Sequence, residues 1–213
     1  MIDYKDLRVL IFDFGGVFIE LDRDRSVREF ERLGVHDAAK MLNNYVQSGI
    51  FDLLESGKIG AAEWRWRMRQ EYGIADATDD EIDAALFAFL KDVPEHRLQL
   101  LRRLHSGIYN KYGERIRIVL LSNTNPIHFP VCRKRYFESN GYSVSDYLDY
   151  LYLSYEMHMS KPDENIFLAL LASENVQAEE CLFFDDGKSN IEVASQLGFR
   201  TQLVERDITE YFK

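Results

Sequence analysis

Val9-Leu10-Ile11-Phe12-Asp13-Phe14-Gly15-Gly16-Val17 is the stretch that decides how this 213-residue chain is read. Four apolar residues run into a single carboxylate, and two glycines break the run almost at once. A short apolar run of this kind suits a strand covered on both faces of a parallel sheet. In open α/β sheets ligands bind beyond the carboxyl ends of the strands, so Asp13 stands as a candidate nucleophile or metal ligand. Gly15 and Gly16 allow a tight turn and bring backbone N–H groups close to an anion. An Asp at a strand end also caps ordinary turns, so the reading depends on partners further along the chain.

Three such partners follow, each at the end of an apolar run. Ile118-Val119-Leu120-Leu121 stops at Ser122-Asn123-Thr124-Asn125, where a hydroxyl and free N–H groups suit phosphate oxygens. A helix beginning near Pro126 would add its N-terminal dipole there, although the same residues also serve as plain helix caps. Ser160-Lys161-Pro162 follows the apolar Tyr150–Ser154 and places an ammonium where it can neutralise both a phosphate and a carboxylate. Cys181-Leu182-Phe183-Phe184 ends in the adjacent acids Asp185-Asp186. Two carboxylates about 4 Å apart repel by roughly 4 kcal/mol at an effective dielectric near 20, and a cation between them offsets that cost. Oxygen ligands without nearby His or Cys favour Mg²⁺ over zinc or copper.

The strands expected are Arg8–Asp13, Ile116–Leu121, Tyr150–Ser154, Cys181–Asp185 and Arg200–Val204. Helices alternating with them predict an α/β fold, a Rossmann-like parallel sheet with helices on both faces. About a hundred residues separate the first two strands, more than one crossover helix needs. The first part of that stretch has helical periodicity over Arg23–Leu33, Asp37–Ser48, Gly60–Tyr72 and Asp79–Leu90, with Thr78 or Asp79 as an N-cap and Gly49, Gly57 and Gly73 as stops. This predicts a small all-helical cap, residues 21–92, inserted after the first strand of a core built from residues 1–20 and 93–213.

A net charge of −10 and a sequence pI near 5.0 argue against nucleic acid or an anionic membrane as partner, since both need a positive field. The phosphate expected here is small and locally neutralised. Only Cys132 and Cys181 occur, pointing to a reducing compartment and to packed thiols. No signal peptide or membrane span is read at the N-terminus, so a cytoplasmic location is expected, as a monomer or weak homodimer.

In their order and spacing these four strand ends resemble the haloacid dehalogenase superfamily, and the resemblance covers nearly the whole chain. Leu121-Ser122-Asn123-Thr124-Asn125, Tyr152-Leu153-Ser154, Lys161-Pro162 and Phe183-Phe184-Asp185-Asp186 are most similar to its branch of small sugar-phosphate phosphatases resembling the bacterial α-glucose-1-phosphatases. Glu55-Ser56-Gly57-Lys58-Ile59, ahead of a helix, is similar to the same group. The resemblance implies Asp13 as the nucleophile on phosphorus. Ser122 and the Asn123 amide, with Gly16, would hold the phosphate, and Lys161 would bridge phosphate and nucleophile. Mg²⁺ would be held by Asp13, the Gly15 carbonyl and Asp186, with Asp185 and Asn190 supporting it. The activity implied is hydrolysis of a small phosphorylated metabolite, a sugar phosphate such as a hexose 1-phosphate, through an aspartyl-phosphate.

One departure bears on mechanism. Most phosphatases of the superfamily carry a second Asp two residues after the nucleophile as general acid and base, and this chain has Gly15 there. Positioned proton transfer is typically worth 10²–10⁴-fold, so the loss points to a better leaving group or a substitute, with Glu20, Asp22 or a water open as candidates. Two alternatives share the nucleophile. A 2-haloacid dehalogenase would work without metal, and a catalytically impaired regulatory protein would bind phosphate without turnover.

Other conspicuous residues are expected to be structural. Trp64 and Trp66, two apart on a helix, cannot share one face, so at least one belongs to the helical core or the surface. Arg65, Arg67 and Arg69 read as a solvated face, and Tyr142, Tyr147, Tyr150 and Tyr152 as half-buried packing. The five histidines form no transition-metal spacing. Of these, His128 is nearest the candidate site, although a helix-surface position is expected for it.

Overall fold

The computed structural model describes residues 2–42 and 49–213. Its centre is a five-stranded parallel sheet of β1 (Val9–Phe12), β2 (Arg117–Ser122), β3 (Tyr150–Leu153), β4 (Cys181–Asp185) and β5 (Arg200–Leu203), in the order β3-β2-β1-β4-β5. The five predicted strands all occur, with ends within a residue or two of those expected.

Alternation along each strand divides its side chains between two cores. Leu10, Phe12, Ile118, Leu120 and Phe184 pack beneath α6 (Glu95–His105) with Leu98, Leu101 and Leu104. Val9, Ile11, Val119, Leu121 and Phe183 face the helices Glu164–Glu174 and Lys188–Gln196 through Ile166, Phe167, Leu170 and Ala194. Both faces are thus covered, which is why β1 reads as an unbroken apolar run: its four residues are all fully buried.

The long connection from β1 to β2 folds as α1 (Arg23–Arg32), α2 (Ala38–Met41), α3 (Ile50–Glu55), α4 (Ala61–Tyr72) and α5 (Asp79–Phe87) before reaching α6. These five gather Phe30, Phe51, Leu54, Trp64, Met68 and Ile82 into a third apolar cluster. Asp22 caps α1, and Thr78 and Glu81 form a reciprocal capping box at α5. The chain crosses to and from these helices on two paired segments. Lys91 N–H donates to Glu20 O at 2.8 Å, Asp22 N–H to Phe89 O at 2.7 Å, and Glu20 N–H to Asp92 O at 3.1 Å.

Several expectations change. The helix expected over Asp37–Ser48 is seen only at Ala38–Met41, and its continuation through 43–48 lies outside the described residues. Gly49 precedes a helix instead of ending one: α3, which had no strong periodic signal because it is only six residues long, begins at Ile50. The last helix of the group stops at Phe87, where the chain enters the paired crossing. Trp64 is fully buried and Trp66 largely exposed, so the pair divides as helical spacing requires. The arginines of α4 are not simply solvated, because Arg65 forms a bidentate pair with Asp83 at 2.7 Å and Arg69 pairs with Asp79. Tyr147 and Tyr152 are buried but Tyr142 and Tyr150 are exposed. Cys132 and Cys181 are buried free thiols, as expected.

Candidate active site

All four strand ends open onto one cavity with about 90 Å³ of space for solvent-sized groups, several times the ~10–15 Å³ a single water needs. Asp13 directly follows β1, Ser122 ends β2 with Asn123 next, Lys161 comes from the loop after β3, Asp186 from the turn after β4 and Asn190 from the first turn of the helix Lys188–Gln196. Ile19, Leu21, Leu42, Phe51, Leu54 and Leu86 supply apolar wall.

Lys161 is the hub. Its side chain is 1% exposed, and Nζ lies 2.9 Å from Asp13 Oδ1 and 2.7 Å from Asp185 Oδ2. Asp185 is enclosed by donors: Gly187 N–H at 2.7 Å and Asn190 Nδ2 at 3.0 and 3.1 Å from its two oxygens, in addition to Lys161. So fully engaged a carboxylate acts as a fixed anchor for Lys161. Asn190 accordingly holds Asp185.

Asn123 does a similar job across the sheet. Its Oδ1 accepts from Lys161 N–H and its Nδ2 donates to Lys161 O, both at 2.8 Å, clasping the two loops together. The side chain is therefore committed to structure, leaving only the Asn123 backbone amide for a ligand. Ser154 Oγ accepts from Thr124 N–H at 2.9 Å and donates to Thr124 O at 3.0 Å, fixing the next residue of the same loop.

Asp13, Asp185 and Asp186 offer oxygens within 4.8 Å of one another, a group able to hold a metal ion. Burial, with repulsion from Asp185 and Asp186, pushes the Asp13 carboxyl up to about 7 although Lys161 opposes the shift. Burial and Asp185 likewise raise Asp186 to about 6. For Lys161, burial works against the charge, but Asp13 and Asp185 outweigh it and raise its pKa. One ammonium thus faces three carboxylates, and an all-oxygen cluster with surplus negative charge fits a hard dication.

Gly16 departs from its expected part. Its N–H already donates to Ile19 O at 2.9 Å, so it is not offered to a phosphate. Its φ of +70° and the absence of a side chain matter instead, because a Cβ there would fall 2.0 Å from Asp186 Oδ2. Gly16 makes room for Asp186. Gly15 lines the cavity.

Neither residue named as a substitute acid lines the cavity. Glu20 sits in the paired crossing with its side chain half-exposed beside Arg97, and Asp22 caps α1. Glu55 at the end of α3 does line it and was not singled out as a site residue. Burial, aided by Asp52 and Asp13 against Lys161, raises its carboxyl to about 8.

His128 is buried in the cavity wall, not on a helix surface, because α7 (His128–Cys132) is a short turn pressed between α5 and the sheet. Its Nε2 lies 3.0 Å from Leu86 O and its Nδ1 3.2 Å from Asn125 Nδ2, the arrangement of a neutral imidazole donating from Nε2. Burial lowers its pKa to about 4. Between the ordinary 6.5 and about 4 the unfolded chain binds a proton that the folded chain refuses. His128 therefore destabilises the fold as pH falls through that window, by up to about 3 kcal/mol. Urea unfolding of wild type and His128→Gln at pH 7.5 and pH 4.5 is expected to show wild type losing more stability on acidification than the variant; parallel losses would refute it.

A protein-family model for haloacid dehalogenase-like hydrolases matches residues 7–198. The D-ribitol-5-phosphate phosphatase of Bacteroides thetaiotaomicron is 37% identical over 195 residues, covering 92% of this chain and 90% of that protein. A HAD family enzyme from the same organism, crystallised with magnesium and inorganic phosphate, superposes with a TM-score of 0.86 at 35% identity, covering 97% of this chain and all of the other. A predicted HAD-like hydrolase of Porphyromonas gingivalis gives a TM-score of 0.83 at 32% identity over 97% of this chain and 98% of its own. With its parallel sheet and its acids, hydroxyl and lysine gathered at the strand ends, this chain belongs to the haloacid dehalogenase-like hydrolases.

Proposed function

We propose that this hydrolase is a Mg²⁺-dependent phosphomonoesterase acting on a small phosphorylated polyol or sugar through an aspartyl-phosphate. The observation that carries the reading is the placement of Lys161 Nζ between Asp13 and Asp185, with Asp186 beside them at the mouth of a single cavity. The ribitol-5-phosphate phosphatase relative supports a phosphorylated polyol ahead of a hexose 1-phosphate. The helices within 21–92 would act as a cap over a core formed by 1–20 and 93–213, in a cytoplasmic monomer or weak dimer. Among the described residues no helix is long and apolar enough to cross a membrane.

In this reading Asp13 attacks phosphorus in line with the departing oxygen. Ser122 Oγ and the Asn123 amide hold phosphoryl oxygens, and Lys161 balances their charge while aligning the nucleophile. Asp13, the Gly15 carbonyl and Asp186 would hold the dication, with Asp185 and Asn190 keeping the surrounding groups in place. When bound, the ion would favour the ionised form of Asp13 and neutralise phosphoryl charge. Water then attacks the acyl phosphate, releasing phosphate and restoring the Asp13 carboxylate.

The test is turnover of ribitol 5-phosphate, hexose phosphates and p-nitrophenyl phosphate with Mg²⁺ and with EDTA. Phosphate release that chelation reduces by more than about 10²-fold is expected, as for removal of a principal electrostatic stabiliser. Chloride release from 2-chloropropionate in EDTA, with no phosphatase activity, would replace the reading by a dehalogenase.

A further inference from the structure

We propose that Glu55 is the general acid and base of this enzyme, supplied from the helical insertion in place of the carboxylate missing at position 15. The inference rests on the phosphatase reading above. Gly15 leaves the departing oxygen without a proton donor from the β1 loop, and Glu20 and Asp22 lie outside the cavity. Among the described residues that line the cavity, the carboxyls are Asp13, Asp186 and Glu55. The first two belong to the nucleophile and cation cluster, which leaves Glu55.

Its position is fixed by the chain around it. Ile50, Phe51 and Leu54 anchor α3 in the helical cluster, and Glu55, one turn on from Phe51, lines the cavity beside Phe51 and Leu54. Two residues on, Gly57 adopts φ +64° and meets the short helix Ser154–Met157 after β3 so closely that a Cβ there would lie 2.1 Å from Tyr155 O and 2.9 Å from His158 Nδ1. Only a glycine permits that approach, and it pins the end of α3 over the sheet. The groups acting on the Glu55 carboxyl are Asp52 from its own helix and Asp13 and Lys161 from the sheet side, and desolvation raises its pKa above the ordinary carboxylate range.

The chemistry balances without another reactant. As the Asp13 oxygen bonds to phosphorus and the phosphorus–alkoxide bond breaks, the Glu55 proton passes to the leaving oxygen, giving the free alcohol. Glu55 carboxylate then takes a proton from the water that attacks the acyl phosphate, and phosphate departs with Glu55 again protonated.

Leaving-group dependence separates this role from a structural one. A polyol alkoxide is strongly basic and needs the proton, whereas p-nitrophenolate leaves without it. Pre-steady-state bursts and steady-state turnover of wild type and Glu55→Gln are to be measured with ribitol 5-phosphate and with p-nitrophenyl phosphate, alongside calorimetric binding of inorganic phosphate with Mg²⁺. The expected result is a loss of about 10²–10⁴-fold for alcohol release, a loss below about tenfold for the nitrophenolate burst, and a slow phase after the burst as the acyl phosphate waits for its base. Equal losses on both esters, a change confined to KM, or loss of phosphate binding would overturn the proposal. Wild type inactive on both esters would instead remove the phosphatase reading, before any substitution is compared.

Discussion

Asp13→Asn is expected to lower kcat by on the order of 10⁴-fold or more, the scale seen when a nucleophile is removed. The substitution is nearly isosteric, so its effect is chemical: an amide oxygen cannot form the acyl phosphate. The fold should survive, because Asp13 is one of three crowded carboxyls and its loss leaves Lys161 paired with Asp185 at 2.7 Å. Burial and its acidic neighbours hold the Asp13 carboxyl up near 7, so folding opposes its ionisation, and above its ordinary pKa it costs the native state stability in the apo protein. The Asn variant is therefore expected to melt no lower than wild type at pH 8 in EDTA. Phosphate release by the variant within tenfold of wild type would exclude Asp13 as nucleophile.

Lys161→Met carries the second large effect, on both activity and stability. Methionine fills much of the same volume but removes the only ammonium contacting Asp13 and Asp185 among the described residues, leaving buried acids unbalanced. Breaking a buried ion pair from one side typically costs 3–5 kcal/mol. The cost should depend on pH with a definite sign. At pH 5 Asp13, raised to about 7 with Lys161 present and further without it, holds its proton in both proteins, whereas at pH 8 it is ionised in wild type beside Lys161 and in the variant must either stay uncompensated or take up a proton. Urea unfolding in EDTA should show a larger deficit at pH 8 than at pH 5, and equal deficits would show that charge is not the cause. Turnover should fall to a level comparable with Asp13→Asn, because in the proposed mechanism the same ammonium would align the nucleophile and balance the transferring phosphoryl group.

Asp13, Ser122 and Asp185-Asp186 were legible in the sequence because each ends a strand whose neighbours are apolar on both faces, and Lys161 because it lies in the connection that follows another such strand. A buried run of that kind has one direction in which to deliver a polar side chain, and the parallel order of the sheet sends all of them to the same edge. Details set by long-range contacts were not legible. The Asn123 side chain is spent on Lys161, and the Gly16 N–H on Ile19, for reasons that appear only when distant loops meet. His128 looked like a surface residue because a five-residue helix carries no periodicity to place it, and its partner Leu86 lies 42 positions away. Glu55 was hidden for a related reason. Its segment Glu55-Ser56-Gly57 carries a family resemblance, but Gly57 reads locally as a helix stop, and its second duty of touching Tyr155 belongs to the tertiary fold.

The two chain segments joining sheet and insertion are tied to each other by backbone hydrogen bonds between Glu20 and Lys91 and between Asp22 and Phe89. The sheet consequently meets the same pair of anchored ends whatever lies beyond them, and extra length in the insertion adds almost nothing to the entropy of bringing β1 beside β2. If these helices roof the site as proposed, descent with variation could rebuild the roof, altering which alcohol is accommodated, while the floor beneath stays untouched. An acid recruited from that roof would tie chemistry to selectivity, so exchanging one roof for another would change the rate along with the preference.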